Sequence, residues 1–272
     1  MRVEACSQAL LTEILPHIDP ANDGVCIDVG VGTFAFYCEL FANLGFPTIA
    51  IEPLPTKKLR KLCQNRNITL WEACLSDANS IQTLYIGTFA GLYNLNLNSL
   101  SPDWFGSSRK QQQVSVIDLP TLISRIPAEK ITCMKLDIEG SEVNVLKQFE
   151  RLPEYLRPQI VMFEYGGGAR KSKAKKGWSP KFLKSTMSCI NYLKKSGYGL
   201  SIMIDYASNT KVKIFNLQTS CLEPDVLFEN NLIYGNIISF YDWSYSQESI
   251  KKICYSYEKS LVNYLIATIF CN

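Results

Sequence analysis

The chain has 272 residues, 47% of them hydrophobic and 19% charged, a composition that suits a globular fold with a sizeable core and argues for one large α/β domain over residues 1–272. Its 28 basic and 25 acidic residues nearly balance, which argues against the broad cationic face that nucleic-acid binding requires. Ten cysteines are scattered singly with no Cys-x-x-Cys pair, against a disulfide scaffold or structural zinc site and in favour of a reduced, cytoplasmic protein.

Met1 to Leu15 lacks the basic flank and apolar run of a signal peptide. No stretch reaches the roughly 18 apolar residues of a membrane span, and Ser260 to Phe270 is too short. Ala5 to Leu15 has apolar residues at helical spacing and is expected to cover the sheet edge or a ligand site. Val25 to Val29 then reads as a buried strand, Gly30-Val31-Gly32 as a turn, and Phe34 to Leu44 as a helix. Thr48 to Ile51 predicts a second strand ending at Glu52. Thr56 to Asn65 predicts a basic helix, and Ile68 to Leu75 a third strand ending at Ser76-Asp77. This succession implies parallel pairing with right-handed crossovers.

Residues 78–118 break the regularity. Ile81 to Ile86 and Gln113 to Ile117 alternate and predict an antiparallel insertion, with an exposed Gly87 to Ser108 loop near the substrate. Leu119 to Ile126 predicts a helix, Ile131 to Leu136 a strand, Gly140 onward a helix, and Gln159 to Phe163 a further strand. Residues 166–180 are expected to be a flexible basic loop, carrying Arg170, Lys171, Lys173, Lys175 and Lys176, that is either solvated or closes over an anionic acceptor. A helix over Lys181 to Lys195 and strands over Tyr198 to Ile204, Val212 to Leu217 and Leu232 to Ser239 follow. Ile250, Cys254, Tyr257, Leu261, Leu265 and Thr268 give a terminal helix one apolar face, for the sheet or for a second subunit.

The chemistry gathers at strand ends. Gly30 and Gly32 let a ligand approach the backbone, and Glu52, at the end of the next strand, can accept from two ribose hydroxyls. Gly30-x-Gly32-x-x-Ala35 also satisfies the looser NAD fingerprint. Asp28, however, is an unfavourable neighbour for a pyrophosphate and a favourable one for a sulfonium or ammonium group, as in S-adenosylmethionine. Asp28 and Glu52 have a plainer reading as caps or turn braces, and Asp77 as an Asx turn. Met134-Lys135-Leu136-Asp137-Ile138-Glu139-Gly140 brings two carboxylates to a strand end at the topological switch point, where one of them can serve as a base. The lone histidine, His17, offers little support for a histidine base.

Asp28-Val-Gly-Val-Gly32, Ile51-Glu52-Pro53, Val116-Ile-Asp118-Leu119, Met134 through Leu146 and Pro158 through Glu164 together resemble the ordered signature of FkbM-type methyltransferases. The resemblance covers Val25 to Glu164, and Lys135-Leu-Asp-Ile-Glu-Gly140 is its specific part. It implies a doubly wound, mostly parallel class I (Rossmann-like) sheet, S-adenosylmethionine as cofactor, and O-methylation of a small-molecule hydroxyl on a sugar, polyketide or related metabolite. On that resemblance Asp28, Gly30, Gly32 and Thr33 meet the methionine part, Glu52 the ribose, and Ser76 and Asp77 the adenine side. Asp137, Glu139 and Glu164 face the methyl group and the acceptor, and a divalent metal on Asp137 and Glu139 is allowed but not demanded by their spacing. Phe34 stands where the family usually has a small residue. An NAD-dependent oxidoreductase and a non-catalytic scaffold whose site Phe34 blocks remain the alternative readings.

Overall fold

Val25–Val29 (β1) buries every residue along its length, as a strand covered on both faces must. In the computed structural model, which describes residues 2–104, 106–126, 129–166, 180–207, 210–228 and 232–258, β1 lies inside the main sheet. It pairs in parallel with β2 (Thr48–Ile51) on one side and on the other with Ile131–Leu136.

Thr69–Trp71 (β3) extends the sheet beyond β2. Here the structure departs from the expected third strand, which breaks at Glu72-Ala73. Glu72 turns aside to pair with Arg60 on α3 (Lys57–Arg66), and Cys74–Ser76 (β4) leaves for a second sheet. That sheet has the order β4-β7-β5-β6, built with Ser80–Phe89 (β5), Leu92–Tyr93 (β6) and Ser107–Asp118 (β7). The expected antiparallel pairing of β5 with β7 is present, while β4 joins β7 in parallel. The Gly87 to Ser108 stretch is not wholly irregular, since it also holds a 3-10 turn at Leu95–Leu97.

The chain returns to the main sheet through α4 (Leu119–Ser124) and β8 (Ile131–Leu136). Ile160–Tyr165 (β9) continues it in parallel. Tyr198–Asp205 (β10), Lys213–Asn216 (β11) and Gly235–Tyr241 (β12) complete the order β11-β10-β12-β9-β8-β1-β2-β3, with β12 reversed between β9 and β10. The short helix Pro224–Leu227 (α7) has no forerunner in the sequence pattern, and β12 starts later than expected because its ladder to β10 begins at Gly235.

Helices cover both faces, so the sheet is doubly wound. On one face Leu122 of α4, Val145 and Leu146 of α5 (Glu142–Leu146), and Ile190 and Leu193 of α6 (Pro180–Lys195) pack on Ile27, Met134 and Phe163. On the other, Leu10, Leu11 and Ile14 of α1 (Val3–Ile18), Phe41 of α2 (Phe36–Asn43), and Ile250 and Cys254 of α8 (Gln247–Tyr255) pack on Cys26, Cys133, Met162 and Ile238. Thus α1 covers the sheet face over β8, β10 and β12 rather than the edge, and its Glu4 reaches the crevice at the strand ends, the other place expected for it. Arg170, Lys171, Lys173, Lys175, Lys176, Leu261, Leu265 and Thr268 lie outside the described residues. The described cysteines are free thiols, buried except for Cys221. Among the described residues no helix is long and apolar enough to cross a membrane.

Candidate active site

Strand order reverses between β1 and β8, and the crevice that ligands use in such sheets opens at their carboxyl ends. The chain leaves β1 through Gly30 at φ +74°, where an added Cβ would lie 1.8 Å from the Asp137 carbonyl oxygen. Only glycine fits this approach of two strand ends. Ala35, also left-handed at φ 57°, then opens α2.

Two side chains hold the turn. Glu52 Oε2 accepts from Gly32 N at 2.9 Å, and its Oε1 accepts from Leu54 N at 3.0 Å. From the insertion, Asn96 Oδ1 accepts from Thr33 N at 2.7 Å and from the Thr33 hydroxyl at 2.9 Å. Asp28 Oδ2 meanwhile accepts from Cys38 N in the first turn of α2. The bracing read from sequence for Asp28 and Glu52 is therefore real, yet both also line cavities.

Beneath the turn sits Lys135, directly opposite Asp28 in the β1–β8 ladder. Its Nζ lies 3.2 Å from Asp28 Oδ1 and 3.3 Å from Asp137 Oδ2, and it donates to the Gly30 carbonyl at 3.1 Å. Burial alone would lower the ammonium's pKa, but the carboxylates of Asp137, Asp28 and Glu4 outweigh it and hold it above the usual lysine range.

Past Asp137 the backbone turns at Glu139, whose φ of 54° is left-handed for a residue with a side chain. Trp104 Nε1 donates to Glu139 Oε2, and the Ser99 hydroxyl donates to its carbonyl at 2.7 Å. Glu142 Oε1 accepts from Ile138 N at 2.9 Å and secures the entry to α5. Glu164 arrives from β9, and single oxygens of Asp137, Glu139 and Glu164 lie within 4.8 Å of one another, close enough to hold one cation. Burial first, and the Asp137 charge second, push Glu139 and Glu164 well above the usual carboxylate range.

Two adjoining cavities share Gly30, Gly32, Asn96, Asp137 and Glu139. The smaller, about 50 Å³, lies between Glu52 and the Cys74-Leu75 end of β4. The larger, about 470 Å³, is walled by Asp28, Lys135, Glu164 and a set of aromatic rings. Cys74 and Leu75 of β4 line the smaller one, but Ser76 and Asp77 line neither, because they lie past them, towards the end of α5. There the Ser76 carbonyl accepts from Gln148, and Asp77 pairs with Lys147. His17 bonds to the Glu13 carbonyl of its own helix and also lines neither cavity. Phe34 does not fill the turn. It stacks on Phe36 with ring centroids 5.2 Å apart, stays 59% exposed, and forms part of the larger cavity's wall.

The profile of the methyltransferase FkbM domain matches residues 20–198, more than half of the chain. The chain belongs to the FkbM methyltransferase family. No curated protein matches it. Solved structures similar to the FkbM chain include the 1,6-didemethyltoxoflavin-N1-methyltransferase of Burkholderia thailandensis, at 10% identity over 88% of this chain and 79% of that one, TM-score 0.38. Another is the magnesium protoporphyrin IX methyltransferase of Synechocystis PCC 6803, at 7% identity over 88% and 81%, TM-score 0.36. At these values they add nothing to the family assignment.

Several residues of this FkbM site escaped the sequence reading. Lys135 had a visible signal, being a lone charge in the otherwise apolar run Ile131 to Leu136. Glu4, which accepts from Tyr37 at 2.6 Å and from Tyr206 and Asn236 at 3.3 Å, had none, since it reaches the cavity only through the packing of α1. Asn96 and Trp104 likewise arrive with the insertion.

Proposed function

We propose that the chain is an S-adenosylmethionine-dependent methyltransferase that acts on a hydroxyl of a small molecule. The observation that carries this reading is the meeting of Asp137, Glu139 and Glu164 beside the glycine turn, on the wall of a cavity of about 470 Å³. Bound S-adenosylmethionine supplies a methyl group already activated on a sulfonium, so positioning is the protein's main task.

The residues suit that group. Asp28, whose Oδ1 has the Lys135 ammonium 3.2 Å away, lines the larger cavity beside Gly30 and Gly32, where it offers a carboxylate to a sulfonium or ammonium group. Asp28, Gly30, Gly32 and Thr33 hold the methionine part. Glu52 keeps lone pairs free for ribose hydroxyls, since each oxygen has accepted only one amide. Cys74 and Leu75 replace Ser76 and Asp77 as the adenine wall. Asn96 and Leu95 also wall the smaller cavity, so a nucleoside seated against Glu52 would meet them.

On the acceptor side, Glu164 takes the hydroxyl proton on a carboxylate oxygen, where burial has raised its proton affinity. Asp137 is held by Lys135, and Glu139 by Trp104. A carboxylate-walled crevice repels a pyrophosphate, which favours this reading over an NAD enzyme. Incubation with labelled methyl donor and a panel of sugar and polyketide alcohols tests the proposal. Label recovered on oxygen and lost in Asp137→Asn supports it, and label recovered solely on nitrogen or carbon overturns the hydroxyl assignment.

A further inference from the structure

We propose that the acceptor of this site is a cation: a small molecule carrying an ammonium group near the hydroxyl that receives the methyl, on an apolar body. The inference rests on the methyltransferase reading and deepens it.

Five carboxylates, those of Glu4, Asp28, Asp137, Glu139 and Glu164, line the larger cavity, against Lys135 as its one cation among the described residues. Lys135 is already committed, to Asp28, to Asp137 and to the Gly30 carbonyl. Glu4 is held by the neutral donors Tyr37, Tyr206 and Asn236. That leaves Glu139, with only the Trp104 N–H, and Glu164, which makes no hydrogen bond or ion pair among the described residues. S-adenosylmethionine brings a sulfonium and an ammonium against one carboxylate, a net single positive charge. With that ligand bound, the carboxyl groups of Glu139 and Glu164 remain on the side away from the glycine turn with no cation paired to them among the described residues, and an ammonium placed there would favour their ionised form.

The rest of the wall is aromatic. The Tyr206 and Tyr234 rings stack with centroids 4.5 Å apart, and both line the cavity. Phe34, Phe36 and Phe89 line it too while remaining substantially exposed. Aromatic faces beside carboxylates favour an organic cation over an anion and give its apolar body something to pack on. The expectation of an anionic acceptor drew on lysines that lie outside the described residues.

Three probes of similar shape separate the possibilities by calorimetry on protein saturated with S-adenosylhomocysteine: phenylalaninol, hydrocinnamyl alcohol and phenyllactate. Phenylalaninol is expected to bind about tenfold or more tightly than the neutral alcohol, as a charge-assisted hydrogen bond allows, and phenyllactate no better than the alcohol. In Glu164→Gln the preference for the amine should fall severalfold while S-adenosylhomocysteine still binds. The wild-type comparison stands even if that variant fails to fold. Equal binding of the three probes, or a preference for phenyllactate, overturns the inference. So does tight binding of manganese(II) at the three carboxylates with the neutral alcohol favoured, which would mark a metal centre. Failure of S-adenosylhomocysteine to bind overturns the methyltransferase reading and this inference with it, whereas its binding without an amine preference overturns this inference alone.

Discussion

Lys135 Nζ stands 3.2 Å from Asp28 Oδ1, joining the carboxyl ends of β8 and β1 directly beneath the glycine turn. The pair is 5% and 1% exposed, so neither charge has water to fall back on. Lys135→Met should therefore leave Asp28 and Asp137 unpaired and cost about 3–5 kcal/mol of stability, read as a lower urea midpoint. Adding Asp28→Asn to that variant should recover part of the loss, because it removes one of the stranded charges. A single variant as stable as the wild type would contradict the role given to the pair.

Gly30→Ala should be among the most damaging small changes. Its Cβ would meet the Asp137 carbonyl oxygen at 1.8 Å on a backbone with φ +74°. A loss of more than about 2 kcal/mol is expected, together with loss of S-adenosylhomocysteine binding in calorimetry.

Asn96→Ala should act in the opposite direction on binding. The side chain occupies the Thr33 amide and hydroxyl in the crevice where the cofactor is proposed to lie. Its removal should cost about 1 kcal/mol of stability and tighten S-adenosylhomocysteine severalfold. Weaker binding would show that Asn96 is part of the bound site rather than a stopper in it.

Stability should fall as pH rises towards neutrality. Burial raises Glu142 from an ordinary 4.5 to about 7 and Asp205 from 3.8 to about 7, in spite of the amides that bond to each. Between the ordinary and raised values the folded protein holds protons that the unfolded chain has released, so the slope of unfolding free energy with pH is negative there. Urea midpoints should decline from about pH 4.5 to 7, and Asp205→Asn should flatten the decline.

Most of the sheet was legible because β1, β2 and β8 are mainly apolar runs, broken by Asp28 in β1, Thr48 in β2 and Thr132 and Lys135 in β8, that end at a glycine or a carboxylate. The same feature made Asp28, Gly30, Gly32, Glu52, Asp137, Glu139 and Glu164 legible as neighbours, since parallel strands deliver their carboxyl ends to one edge. The expected third strand departs at Glu72-Ala73, where a run that reads as one strand is divided between two sheets, and Ser76 and Asp77 line neither cavity. No periodicity marks that division, which tertiary pairing with β7 decides. Glu4, Asn96 and Trp104 depend on how α1 and the insertion dock, and local pattern carries no information about docking.

The most direct test of the proposed activity is calorimetric titration of the wild-type protein with S-adenosylhomocysteine and, separately, with NAD. Binding of S-adenosylhomocysteine in the micromolar range, weakened by Glu52→Ala, with no heat from NAD, is the predicted result. Heat from NAD and none from S-adenosylhomocysteine would contradict it.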